Sequence, residues 1–194
     1  MNRRMLLALG VALPSIALGP LMIGMAPAWA QFDTLTLKPI VKAVREGDEE
    51  KVRGALLKGE SPNQIDSSGQ PLLMVAVVAG HIAVVEALLK GGAFPDTMDR
   101  EGNTSLIRAA EKNDIDIVEM LLARKAKVDA QTRQGATALS IAARRGYAEI
   151  VRSLLARKAD PSKPDFTGRT PLAYARQSGK PAVEAMLRKA GARE

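Results

Sequence analysis

The sequence predicts an all-α solenoid: stacked helix-turn-helix units joined by β-hairpin-like loops, preceded by a signal peptide. Three observations predict it. First, the stretch from Asp99 to Ala130 recurs when the chain is laid over itself with a shift of 33 residues. Asp66, Asp99, Thr132 and Asp165 then share a column, and Gly69, Gly102, Gly135 and Gly168 share the column three residues later. Leu73, Leu106, Leu139 and Leu172 align next, followed by Ala76, Ala109, Ala142 and Ala175. A fixed period of this size marks units that stack because none can bury its apolar face alone. Second, each period holds apolar pairs four residues apart, such as Ile117-Val118 with Leu121-Leu122, which form one helical stripe. Third, the start of the chain has the composition of an export signal and lacks the period.

Residues 1–30 stand outside the repeat. Arg3 and Arg4 precede an apolar, uncharged run from Met5 to Met25, and Ala28-Trp29-Ala30 follows. A basic start, an apolar middle and an A-x-A site are the order of a secretory signal. Cleavage is expected after Ala30, with the general secretory route favoured over twin-arginine export, and the mature chain would then be periplasmic. The alternative is an uncleaved membrane anchor; Pro14, Pro20 and Gly24 interrupt the run and argue against it.

Residues 31–37 form a short lead-in. Residues 38–65 read as a degenerate N-terminal capping repeat, because Thr36 replaces the opening Gly and Glu46, Asp48, Glu49, Glu50, Lys51 and Arg53 make a polar outer face. The full units are 66–98, 99–131 and 132–164. Across the units, first helices begin at Pro71 and Pro171, where a missing N–H is harmless. They end at Gly47, Gly80, Asn113, Gly146 and Gly179, and Asn is the non-Gly residue that best tolerates the left-handed conformation. Asp48 and Asp114 are good N-caps for the second helix, and His81 and Tyr147 are poorer ones. Arg124, Lys125, Arg157 and Lys158 are expected in the last helical turn, where cations suit the dipole. Residues 165–194 read as the C-terminal capping repeat. Glu184 and Arg188 stand where Val151 and Leu155 would predict apolar residues, so no sixth repeat is expected against them.

The pattern G-x-T-x-L-x-x-A-A, clearest from Gly102 to Leu122 and from Gly135 to Leu155, resembles the ankyrin repeat. Gly168-Arg-Thr-Pro-Leu172 shows the same opening, and the resemblance extends over roughly residues 38–192. It implies a binding module rather than a particular partner, since such arrays serve many. It also implies that partners meet the hairpin tips and the exposed side of the first helices, which together line a concave face. The matching positions are Met98, Arg100, Glu101, Asn103, Arg108, Glu111 and Lys112 in one unit. They continue as Arg133, Gln134, Arg144 and Arg145 in the next, and as Phe166, Arg169, Tyr174 and Gln177 in the last. Exposed aromatics and Arg are enriched at interface hot spots.

Chemistry has little to work with. Cys is absent and His81 is the single His, so neither a thiolate metal site, a His-based metal site nor a Ser-His triad can be assembled. Asp114 and Asp116 lie at a helix start and read as capping groups, and the glycines do not form a phosphate-binding loop. No catalytic residue, cofactor or metal is expected.

Charge is unevenly spread. Residues 31–98 hold 7 Lys and Arg against 9 Asp and Glu, whereas residues 99–194 hold 19 against 12. The basic half suggests a protein partner with an acidic patch. Nucleic acid fits poorly, since aromatic residues make up 3% of the chain and export would remove it from that ligand. A monomeric periplasmic adaptor, free of the membrane after signal cleavage, is the leading expectation. The other is an envelope scaffold, or an inhibitor or immunity-type factor acting on an exported enzyme.

Overall fold

Two rows of short helices lie side by side in the computed structural model, which describes residues 38–193. In chain order the helices are α1 (Pro39–Glu46), α2 (Glu49–Leu57), α3 (Leu72–Ala79), α4 (Ile82–Lys90) and α5 (Ser105–Lys112). They continue as α6 (Ile115–Ala123), α7 (Ala138–Arg145), α8 (Ala148–Ala156), α9 (Pro171–Gln177) and α10 (Pro181–Lys189). Each odd-numbered helix packs on its even partner and on the next odd helix, and the even helices pack in the same sequence. The result is an all-α repeat solenoid. No helix among the described residues is long and apolar enough to cross a membrane. The signal, its cleavage point and the lead-in lie outside the described residues.

The columns explain why these segments are helices. The first helices α5, α7 and α9 open at Thr104, Thr137 and Thr170, whose hydroxyls accept the N3 backbone N–H at 3.4, 3.1 and 3.2 Å. Thr137 also receives the reciprocal bond from Ser140, closing a capping box. Pro71 occupies the N-cap position of α3 and Pro171 the first turn of α9. At the far ends of α1, α3, α5 and α7, Gly47, Gly80, Asn113 and Gly146 are left-handed, with Asn113 at φ 61°. α9 closes one residue earlier than the column predicts, at Gln177, with Ser178 as its cap. The turn is nonetheless kept: Lys180 N–H bonds Ala175 O at 2.9 Å, as Asp48 N–H bonds Ala43 O in the first unit.

Asp48 and Asp114 cap α2 and α6 by accepting from Lys51 and Ile117, whereas His81 and Tyr147 make no side-chain cap. Ala76, Ala109, Ala110, Ala142 and Ala143 are fully buried or nearly so, which lets the first-helix row pack closely. The stripe of the even helices forms the rest of the core. Leu89 and Leu122 are 3% exposed, but Leu155 is only half-buried. The next residue in its column is Arg188 of α10, and a dent lined by Leu155, Met186 and Ala190 together with Arg152 and Lys189 stays open beside it. Arg188 and Arg176 both approach the half-buried Glu184, at 3.7 and 3.8 Å.

The four cations expected in the last helical turn lie just past it. α6 and α8 end at Ala123 and Ala156, and Lys125 and Lys158 are left-handed at φ 61° and 64°, in the column that Gly59, Gly92 and Gly191 fill elsewhere. Arg124 and Arg157 reach back one unit, donating to the carbonyls of Leu89 and Leu122 at 2.8 and 2.9 Å. A second link recurs with the repeat. The side-chain oxygens of Asn63, Asp96, Asp129 and Ser162 accept the backbone N–H of Phe94, Lys127, Asp160 and Arg193, at 2.8, 2.8, 3.0 and 3.4 Å.

Candidate partner-binding site

The hairpins are built on the column headed by Asp66. Asp66, Asp99 and Asp165 each accept backbone N–H groups two and four residues ahead, at 2.8–3.0 Å. Thr132 does the same with its hydroxyl at 3.2 Å. A short side-chain acceptor at this position closes the turn by satisfying its orphan donors. Of regular pairing, the described residues show only isolated bridges, Ile65 with Pro71 and Met98 with Thr104.

Each carboxylate also takes a partner from a helix, and the partner differs. Asp66 receives Arg45 at 2.8 Å. Asp99 receives Arg108 at 2.7 Å, and the same guanidinium engages Glu101 and, at 3.2 Å, Glu111. Asp165 receives the Tyr174 hydroxyl at 2.5 Å. Burial opposes ionisation of Asp66, but bonds from Ser68, Arg45 and the Gln70 N–H outweigh it and hold its pKa at about 2. The same balance, with Arg108 and Asn103 as donors, lowers Asp99, and with Thr167 and Tyr174 it lowers Asp165. Burial, reinforced by the Asp165 carboxylate, raises Tyr174.

The tips stack on one another. Arg100, Arg133 and Phe166 lie over Gly69, Gly102 and Gly135 of the preceding hairpin. Gly135 is required twice: it is left-handed at φ 83°, and a Cβ there would stand 2.5 Å from the Phe166 backbone nitrogen. That nitrogen donates to Gln134 O at 3.1 Å, joining two hairpins.

Between the hairpins and α5, α7 and α9 runs a groove of ≈ 490 Å³. Of the fifteen residues the sequence proposes for partner contact, eight line it: Glu101, Asn103, Arg108, Glu111, Gln134, Arg144, Arg169 and Tyr174. Their availability is unequal. Asn103 is 9% exposed, its amide donating to Asp99 and Glu101, so it belongs to the turn rather than its surface. Arg108, Glu111 and Tyr174 are half-buried and engaged within the fold. Arg144 and Arg169 are exposed, and both lie over the Tyr174 ring, 5.8 and 5.2 Å from its centre.

The others stand off this groove. Lys112 borders a smaller hollow of ≈ 320 Å³ with Met74 and Val78. Met98 and Phe166 are 52% and 71% exposed at the tips beside the exposed Arg100 and Arg133, and Arg145 and Gln177 are exposed on α7 and α9.

Thr132, Ala136, Ser140, Ile141, Asp165 and Thr167 also line the groove and are not among the sequence candidates. The signal was present in their columns. Ile141 stands where the flanking units have Arg108 and Tyr174, and Ala136 where they have Asn103 and Arg169. One unit thus lacks the bulky polar residues of its neighbours, and the gap opens there.

A model of ankyrin repeats, in three copies, matches residues 40–132 and 126–193. The chain belongs to the ankyrin-repeat family. Ankyrin repeats are generally protein–protein interaction modules and typically non-catalytic. No curated protein matches the chain. Among the described residues of this ankyrin-repeat protein, no group of His, Asp and Glu is placed to hold a metal ion. His81, the single His, sets Nε2 3.3 Å from Arg45 O, at the junction of the first two units.

Proposed function

We propose that this ankyrin-repeat chain is a non-catalytic adaptor of the bacterial periplasm, exported through its first 30 residues and working there as a monomer. It grips an extended segment of another protein in the groove between the hairpins and α5, α7 and α9. The observation that carries this reading is the gathering of exposed and half-buried polar residues from three successive units around one groove with an apolar floor at Ile141 and Ala136. The basic order Arg3-Arg4, the apolar run and Ala28-Trp29-Ala30 support export. Exposed Arg133, Arg144 and Arg145 support a partner with an acidic patch near the groove.

The test places a photo-crosslinking residue at Arg133, Arg145 or Phe166 and follows the chain in its native host by fractionation and mass spectrometry. A mature chain starting at Gln31 in the periplasmic fraction, crosslinked to one soluble protein, is the expected result. An uncut cytoplasmic chain overturns the location. Crosslinks confined to membrane assemblies replace the adaptor with a scaffold.

A further inference from the structure

Arg45 and Arg144 occupy the same position of α1 and α7, three periods apart, yet they are bound differently. Arg45 reaches forward to the carboxylate of the next hairpin, Nη2 to Asp66 Oδ2 at 2.8 Å. The equivalent carboxylate for Arg144 is Asp165, but its Oδ2 is already taken by the Tyr174 hydroxyl at 2.5 Å. Beside Asp66 the residue in Tyr174's column is Val75, which has no hydroxyl to compete. Arg144 is therefore left against the face of the Tyr174 ring, with Arg169 near the same ring. Arg169 is steadied by Thr167 Oγ1 at 3.0 Å and stands 3.9 Å from Asp165.

We propose that this corner of the groove is a carboxylate site that takes one Asp or Glu side chain from an extended partner segment, with Arg144 as its main fork. The proposal rests on the protein-binding reading above and adds the chemistry of the partner. A guanidinium presents parallel N–H groups that match a carboxylate, and an aromatic backing fixes its plane in advance. Ile141, 8% exposed, and Ala136 supply an apolar floor for the stem of the acidic residue. The opposite wall sets the number of acids. Glu101 and Glu111 share the single Arg108 with Asp99, so that end is acidic and repels a second carboxylate. The fitting segment is one acidic residue among neutral neighbours, not an acidic tract.

The experiment selects twelve-residue peptides from a randomised library on the purified chain and measures the winners by calorimetry. Wild-type winners are expected to share one fixed Asp or Glu, and changing it to the amide should weaken binding about tenfold, the scale of a charge-assisted pair. Arg144→Gln should abolish that difference. Tyr174→Phe should abolish it too, although Arg144 is intact, because Asp165 is then free to capture Arg144 as Asp66 captures Arg45. Both variants should remain folded by circular dichroism, and in each the acid and amide peptides should bind alike, whatever the overall affinity. Winners with no fixed acid, or an acid preference surviving in both variants, overturn the carboxylate site alone. A library that yields no binder overturns the protein-binding reading, and the site with it.

Discussion

Single positions show where the repeat has been pressed into awkward conformations. Lys125 and Lys158 hold left-handed backbones that Gly59, Gly92 and Gly191 hold in the other units. A side chain in that region costs about 1 kcal/mol. Lys125→Gly and Lys158→Gly are therefore expected to stabilise the chain by roughly 0.5–1 kcal/mol each, less the entropy Gly adds to the unfolded state, as read by urea denaturation. The hairpin carboxylates give a second expectation. Asp66, with its pKa at about 2, and the lowered Asp99 and Asp165 favour the ionised form in the fold. Their contribution is complete above the ordinary Asp value of about 4 and is lost as pH falls through the native values. Tyr174 works in the opposite sense, since its raised pKa contributes below the ordinary value of about 10 and fails as pH rises beyond it. Melting temperature followed by circular dichroism should fall from pH 4 to 2 and again above pH 10, and Asp66→Asn should flatten the acid limb.

At the scale of helices and hairpins, the sequence was informative wherever one residue type decides one backbone state. The Gly and Asn column marked the ends of the first helices, Asp48 and Asp114 marked the starts of second helices, and the alanines marked the close-packed row. Contacts between units were less legible, because a side chain's reach depends on where the neighbouring unit lies. By sequence Arg124 and Arg157 suit the dipoles of their own helices, whereas in the fold they serve the carbonyls of Leu89 and Leu122. Asn103 has the position of a contact residue in the sequence, but it is folded into its own turn. The groove floor is hard to see in the sequence for a related reason: Ile141 and Ala136 carry no charge, and their meaning lies in what the adjacent units have at the same place. Each Arg bond across a unit boundary should be worth about 0.5–1.5 kcal/mol. Arg124→Met and Arg157→Met, which keep most of the apolar stem, are expected to lower stability by that amount in urea, with the double variant showing the sum within error.

Taken whole, the chain stores its strength between neighbours, and the groove is a surface assembled from three units at once. Charge adds range. The excess of 19 Lys and Arg over 12 Asp and Glu in residues 99–194 should speed association with an acidic partner. The association rate with the crosslinked partner is expected to fall several-fold between 50 and 300 mM salt while dissociation changes little; a flat rate removes the long-range attraction. The four recurring links from Asn63, Asp96, Asp129 and Ser162 lengthen at the last boundary, where Ser162 stands 3.4 Å from the Arg193 nitrogen. A row so fastened opens like a zipper with one loose tooth. The amide of Arg193 should take up deuterium first, ahead of those of Phe94, Lys127 and Asp160, and peeling should start from the carboxyl end before it reaches the units that line the groove.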